Sequence, residues 1–136
     1  MFEDKKNQYS KKNFPLISII TVVYNNVSHI QKTFDSIFSQ NYKNYELIVI
    51  DGNSNDGTVE IIKKNAPNIK FWLSEPDKGI YDAFNKGMKV AKGEYIGFLN
   101  ADDRYTSKAF YHLKKYINNF PDADFIFGSV KKHWGV

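Results

Sequence analysis

Leu16-Ile17-Ser18-Ile19-Ile20-Thr21-Val22-Val23-Tyr24, opened by Pro15 and closed by Asn25-Asn26, is the stretch on which the fold turns. It is rich in β-branched side chains and nearly continuous in apolarity, so it reads as a buried strand with turn chemistry immediately after it. Downstream, Ile30, Phe34 and Ile37 recur at helical spacing, and Ser28 with Gln31 matches a capping box, which predicts a helix over 27–40. Residues 45–50 form a second apolar run that stops at Asp51 and the polar string Gly52-Asn53-Ser54-Asn55-Asp56-Gly57.

The alternation continues to the end. A short helix over 58–64, with Asp56 or Thr58 near its cap and Lys63-Lys64 at its end, precedes a strand over 69–73. Ile80, Ala83, Phe84, Gly87, Met88 and Ala91 share one helical face, and Gly93 is the expected carboxyl-terminal cap. A strand over 94–99, a helix over 107–120 and a fifth strand over 123–130 complete the pattern. Strand and helix in strict alternation imply an α/β fold, a mainly parallel sheet covered by helices on both faces with right-handed crossovers. Ligands of such folds bind beyond the carboxyl ends of the strands.

Composition sets the outer limits. At 136 residues the chain supports one core, burying about 68% of its unfolded surface. Hydrophobic residues at 42% against 25% charged mark it as globular. Apolar runs fall far short of the roughly 20 residues a membrane helix needs. Residues 1–13 are polar and Lys-rich without the apolar stretch of a secretory signal, and read as a disordered arm. The absence of cysteine removes disulfides, Cys-based zinc sites and thiol catalysis, and a cytoplasmic location is the default. The net charge of +4 rests almost wholly on Lys, scattered in pairs, with Arg104 the only arginine. That distribution argues against nucleic acid, whose readers lean on Arg for bidentate contacts.

The acidic residues are placed differently. Asp51, Asp56, Asp77, Asp82, Asp102 and Asp103 fall in or just after three loops at the carboxyl ends of predicted strands. Asp56 reads as a helix cap before Gly57-Thr58. Adjacent Asp102 and Asp103 after a buried strand repel unless a hard cation offsets them, and Asn100-Ala101-Asp102-Asp103 offers oxygen ligands suited to Mg2+ or Mn2+ shared with a diphosphate. Lys78 reads as a point charge for a phosphate, and Gly79 and Gly87 as places of close backbone approach. Dinucleotide and P-loop fingerprints are missing, and Tyr24-Asn25-Asn26 stands where a phosphorylated receiver would carry acids. His29, His112 and His133 are isolated in sequence and read as surface or packing residues, and Trp72 and Trp134 as core.

Taken as a set, residues 19–26, Ile50 to Thr58, Ser74 to Gly87 and Leu99 to Asp103 resemble family 2 glycosyltransferases of the GT-A fold. Glu75-Pro76-Asp77-Lys78-Gly79-Ile80-Tyr81-Asp82-Ala83-Phe84-Asn85-Lys86-Gly87 is most similar to bacterial exopolysaccharide enzymes of the colanic-acid and amylovoran type. The likeness spans residues 16–128. It implies that Thr21, Tyr24 and Asp51 border the nucleotide base and ribose, that Asp77, Lys78 and Gly79 lie near the donor diphosphate or sugar, and that Asp102 and Asp103 bind Mn2+ or Mg2+. Asn100 stands where many members have the first Asp of an Asp-x-Asp-Asp motif.

The activity so implied is inverting transfer from a nucleotide-diphosphate sugar, a UDP-sugar first, to a saccharide or lipid-linked acceptor in surface polysaccharide biosynthesis, in the cytoplasm or at the inner face of the membrane. The resemblance places the general base in an acceptor-binding half beyond Val136. Residues 14–136 are then expected to be the nucleotide-sugar-binding part of a truncated GT-A domain, with apolar surface left open near the fifth strand and self-association as its consequence. A catalytically silent nucleotide-sugar-binding module acting through a partner chain is the alternative.

Overall fold

A computed structural model describes residues 14–132. The expected arm over 1–13, together with His133 and Trp134, lies outside the described residues. Four strands, β1 (Ile17–Val23), β2 (Tyr45–Asp51), β3 (Phe71–Ser74) and β4 (Tyr95–Asn100), alternate with helices α1 (Ile30–Phe38), α2 (Thr58–Asn65), α3 (Ile80–Val90) and α4 (Ala109–Asn119). A 3-10 turn, Ala66–Asn68, carries Pro67 and ends the α2 path. The strands pair in the order β3-β2-β1-β4, and all three pairings are parallel.

β1 is buried along its whole length and bonded on both edges. Its alternate side chains feed two cores. Ile17, Ile19 and Val23 join Leu47, Val49, Ile62 and Leu99 beneath Ile30, Phe34 and Ile37 of α1 and Phe110 of α4. Ile20 and Val22 join Ile48, Ile50 and Ala83 on the other face, beneath α3. Each fully buried Ile contributes roughly 1.5–3 kcal/mol relative to exposure, so the nearly unbroken β-branched run explains both the strand and its central place.

Register then decides what meets at the sheet edge. Val23 lies opposite Asp51, Asp51 opposite Ser74, and Val22 opposite Asn100. The carboxyl ends of all four strands therefore align in one row, and the loops after them face one another. At the opposite end, Glu46 is buried and accepts from the Ser18 hydroxyl at 2.5 Å and the Lys92 N–H at 2.7 Å, while the Gly93 N–H donates to Ser18 Oγ at 2.7 Å. These bonds fasten the end of α3 to β1.

The structure departs from expectation in three places. The fifth strand over 123–130 is not formed: the segment has no regular structure, and Phe125 and Phe127 are 80% and 89% exposed. A strand exists only by pairing, and β4, the end of the sheet, makes its ladder to β1 alone. Exposed Ile96 and Phe98 on β4 show the same open edge. The capping box of Ser28 and Gln31 is also absent. α1 begins later, after His29, with the His29 and Ile30 N–H groups donating to the Asn26 carbonyl, while Gln31 turns to Asp35 and Asn65.

Gly93, finally, is not a helix cap, since α3 ends at Ala91 in extended backbone. It is small because a Cβ there would sit 2.5 Å from the Ser18 backbone nitrogen. Main chain in the middle of a doubly bonded strand cannot give way, so Gly93→Ala is expected to cost roughly 1–3 kcal/mol. Urea unfolding measures it; an unchanged midpoint would contradict the close approach.

Candidate functional site

Three loops build the carboxyl-terminal edge of the sheet. The first follows β1. Tyr24 is 66% exposed there, and Asn25 turns the chain with φ 46°, a left-handed conformation that Asn tolerates. The Asn25 N–H donates to Ser54 Oγ at 2.7 Å, Asn26 N–H to Thr58 Oγ1 at 2.9 Å, and Val27 N–H to Asp56 Oδ2 at 3.1 Å. The loop after β2 thus serves as template for the loop after β1.

That second loop is organised by Asp51. Its carboxylate is wholly buried and accepts from Ser54 N–H at 2.9 Å, Ser54 Oγ at 2.5 Å and, across the ladder, Ser74 Oγ at 2.6 Å. A buried carboxylate needs such donors; the two Ser54 bonds close the loop back onto β2, and the Ser74 bond stitches the ends of β2 and β3 together. Asn53 follows with φ 68°. Asp56 stands one residue before Gly57, the N-cap of α2, and its Oδ1 accepts from the N–H of Thr58, the first helical residue, at 3.0 Å and from its hydroxyl at 2.6 Å.

In the third loop, between β3 and α3, the Asp77 carboxylate accepts from Gly79 N–H at 2.9 Å, and the Asp82 carboxylate from Lys78 N–H at 3.0 Å. Gly79 turns into α3 with φ 107°, which a side chain would strain. Lys86 grips the loop from α3, with Nζ 2.9 Å from Glu75, 3.5 Å from Asp82 and 3.2 Å from the Pro76 carbonyl. The Lys78 N–H, then the charge of Lys86, hold the Asp82 carboxyl below its ordinary range, and the Glu75 hydrogen bond pushes Lys86 up. Lys78 itself keeps an exposed side chain.

Tyr24, Gly52, Asn53, Pro76 and Asp77 line a cleft of about 360 Å3 where these loops meet. Gly52 is its floor. A Cβ there would fall 2.8 Å from Asp77 Oδ2 and 3.4 Å from the Tyr24 ring, so the loops close over a position without a side chain.

The acidic turn after β4 joins the same edge through α1. Thr33, buried, donates to the Ala101 carbonyl at 2.6 Å and stands 2.9 Å from that of Asp103. Ser36 Oγ accepts from Tyr105 N–H at 3.2 Å, and the buried Gln40 donates to the Thr106 carbonyl at 2.7 Å and accepts from Phe110 N–H at 3.1 Å. Tyr105 packs edge-on against Phe110, and burial pushes its phenol up to about 12. It is a neutral support beneath the turn. Asn26 Nδ2 then donates to Asp102 Oδ1 at 2.6 Å, tying the first loop to the acidic turn.

Of the residues expected at the site, Tyr24, Asp77 and the loop held by Asp51 meet in the cleft. Lys78 and Gly79 lie beside it in sequence and are exposed, and Asp102 and Asp103 stand exposed on the turn tied to Asn26. Thr21 and Asp51 are fully buried, behind the wall rather than on it. Thr21 Oγ1 and Asn100 Oδ1 are both buried without a hydrogen-bond partner. Among the described residues no group of three or more His, Asp or Glu side chains forms a cage for a cation. The donor set present, exposed Asp102 and Asp103 two and three positions after Asn100, whose buried oxygen has no partner, is all oxygen and fits in kind a hard cation whose remaining ligands come from a bound anion.

Asn26, His29, Thr33, Ser36 and Gln40 join this edge although none of them was expected at the site. His29, expected to stand alone, has Nδ1 3.1 Å from Asn26 Oδ1 and 4.0 Å from Asp102 Oδ1. Thr33, Ser36 and Gln40 carried a usable signal, a polar row at helical spacing on a helix otherwise read for its apolar face.

Residues 18–135 match the family described as Glycosyl transferase family 2. An uncharacterized glycosyltransferase of Mycobacterium tuberculosis is 40% identical over 93 residues, covering 68% of this chain and 36% of the relative. One from Rickettsia typhi is 36% identical over 122 residues, covering 90% and 37%. A PGL/p-HBAD biosynthesis glycosyltransferase of Mycobacterium bovis is 33% identical over 120 residues, covering 85% and 47%. The chain thus spans between about a third and a half of the length of these relatives.

Among solved structures, a mannosyltransferase from Pyrobaculum calidifontis in complex with GDP-Man and Mn2+ superposes with TM-score 0.70 at 23% identity, over 89% of this chain and 39% of its own. S. aureus TarS in complex with UDP-GlcNAc gives 0.72 at 23% identity, over 77% and 32%. These likenesses establish the parallel α/β sheet as that of GT-A glycosyltransferases. No helix among the described residues is long and apolar enough to cross a membrane.

Asp56 yields a prediction of sign. Its carboxyl is held below the ordinary 3.8, first by the Thr58 hydroxyl and then by the N–H groups of Val27 and Thr58, which outweigh the opposing desolvation. Stability from this group is present above the ordinary carboxylate pKa and is lost as pH falls through the lowered folded value. The stability difference between wild type and Asp56→Asn should therefore shrink between about pH 5 and about pH 2 in urea melts. A difference independent of pH would contradict the assignment.

Proposed function

The chain belongs to glycosyl transferase family 2, and on that premise we propose that residues 14–136 are the donor-binding part of an enzyme that moves a sugar from a nucleotide diphosphate, UDP in the first place, to a saccharide or lipid-linked acceptor with inversion. The observation that carries this reading is the convergence of Tyr24, Gly52, Asn53, Pro76 and Asp77 on one cleft at the carboxyl-terminal sheet edge. The neighbours solved with GDP-Man and with UDP-GlcNAc support a nucleotide sugar as the ligand class. Surface glycan synthesis of the exopolysaccharide type is the role proposed for the whole protein, and self-association through the open β4 edge belongs to the same reading.

In this reading Tyr24 offers an aromatic face to the base. Asp51 acts from behind, by holding the Ser54 turn and Ser74 in place, and Thr21 lies deeper in the same wall. Asp77 fixes the Gly79 N–H, so that the exposed Lys78 ammonium stands beside the entrance to α3, whose amino end favours a diphosphate. Asp102 and Asp103, with the Asn100 oxygen, would hold Mn2+ or Mg2+. Such a cation, when bound, supplies positive charge against the departing diphosphate. The general base that takes the acceptor's proton is assigned to none of the described residues.

Calorimetric titration with UDP, GDP and dTDP, with and without Mn2+, tests the proposal. The expected result is UDP binding that strengthens with Mn2+ and falls at least about tenfold in an Asp102→Ala, Asp103→Ala double variant, the scale on which metal-site mutations act. Absence of binding to any nucleotide by a folded chain would overturn it.

A further inference from the structure

Asp102 is an awkward residue to use as a ligand. Its side chain is 77% exposed on a turn, and an exposed carboxylate is free to rotate away from whatever it is meant to hold. Here it is not free, because Asn26, from the other side of β1's end, donates to Oδ1 at 2.6 Å. Oδ2 has no hydrogen bond among the described residues.

Asn26 is itself unusually constrained for a loop residue. Its N–H donates to Thr58 Oγ1 at 2.9 Å, and its carbonyl accepts from the N–H groups of His29 at 3.3 Å and Ile30 at 3.1 Å. The main chain is therefore pinned on both sides of the side chain. The amide orientation is fixed as well. A carboxylate only accepts, so the NH2 of Asn26 must face Asp102 and its oxygen must face His29. His29 Nδ1 lies 3.1 Å from that oxygen and so carries the ring proton toward it. The result is an ordered relay, His29 to Asn26 to Asp102, in which each donor has one acceptor.

We propose that Asn26, oriented by His29, is a positioning residue that presets Asp102 Oδ1 and leaves Oδ2 available to a divalent cation. The inference rests on the cation role proposed above for Asp102 and adds residues to it that lie in another loop. The physical gain is that the rotamer freedom an exposed carboxylate would lose on binding a cation is already removed in the free protein. Asn26 and His29 do not touch the cation themselves.

Mn2+ affinity, read from the EPR signal of free Mn2+ in the presence of UDP, tests this on the intact chain. Asn26→Ala is expected to weaken Mn2+ binding about tenfold or more, the effect usual for groups that orient a metal ligand. Asn26→Ser, small and polar but too short to reach Asp102, should do the same. His29→Ala should weaken binding by a smaller factor, and His29→Gln, which keeps a donor for the Asn26 oxygen, should restore it. Thermal midpoints without metal are expected to match wild type, which separates positioning from a merely structural role.

Wild-type Mn2+ affinity in folded Asn26→Ala and Asn26→Ser, with binding abolished in Asp102→Ala, would overturn the positioning role and leave the cation site intact. Unchanged affinity in Asp102→Ala, or no Mn2+ binding by the wild-type chain, would instead overturn the cation reading of Asp102 and this inference with it.

Discussion

β1 is hydrogen-bonded along both edges and buried on both faces, and the site inherits its geometry from that confinement. Slipping such a strand by one residue would exchange Ile20 and Val22 with Ile19 and Thr21 between two different cores, at the cost of several buried side chains. The register with β2 and β4 is therefore fixed, and with it the row in which Val23, Asp51 and Ser74 end opposite one another. Loops leaving such a row start within reach of one another. The cleft follows from that arrangement rather than from any property of a single loop.

The two ends of the sheet use their buried carboxylates differently. Glu46, at the amino-terminal end, is spent on Ser18 and Lys92 and simply closes the fold. Asp51, at the carboxyl-terminal end, is spent on Ser54 and Ser74, which shapes the loops that line the cleft. Asp102 and Asp103 are left exposed, where an acid is available to a ligand. Acids that build the fold are thus separated from acids left open, and the open ones are those proposed above to meet a cation. Thr33 on α1 meets the Ala101 and Asp103 carbonyls, while Ser36 on α1 and Gln40 just past it hold the main chain of Tyr105 and Thr106, so the turn is kept in place with the acidic side chains exposed.

Much of this was legible in the amino-acid sequence, because most of it is local. The β-branched run of β1, the abrupt stop of β2 at Asp51 and the Ile80–Val90 face each depend on neighbours a few residues away. The role of Asp56 at the start of α2 was legible for the same reason, since its partner Thr58 is two residues away. What escaped depends on partners far along the chain. Asn26 and Asp102 are separated by 76 positions, so nothing near either residue announces their bond. Gly93 looked like a helix cap because its reason for being small, the Ser18 backbone, lies across the sheet. The segment over 123–130 has the composition of a strand but does not pair with the open edge of β4, which composition does not reveal.

The carboxyl-terminal row of strand ends is proposed above to form a single nucleotide-binding edge. Amide shifts in a 1H–15N spectrum on addition of UDP with Mg2+ test it most directly. Changes are expected at Tyr24 to Asn26, Gly52 to Ser54, Asp77 to Gly79 and Asn100 to Asp103, with Ser18, Glu46 and Gly93 at the far end unmoved. Shifts confined to the far end, or to the open segment around Phe125 and Phe127, would contradict it.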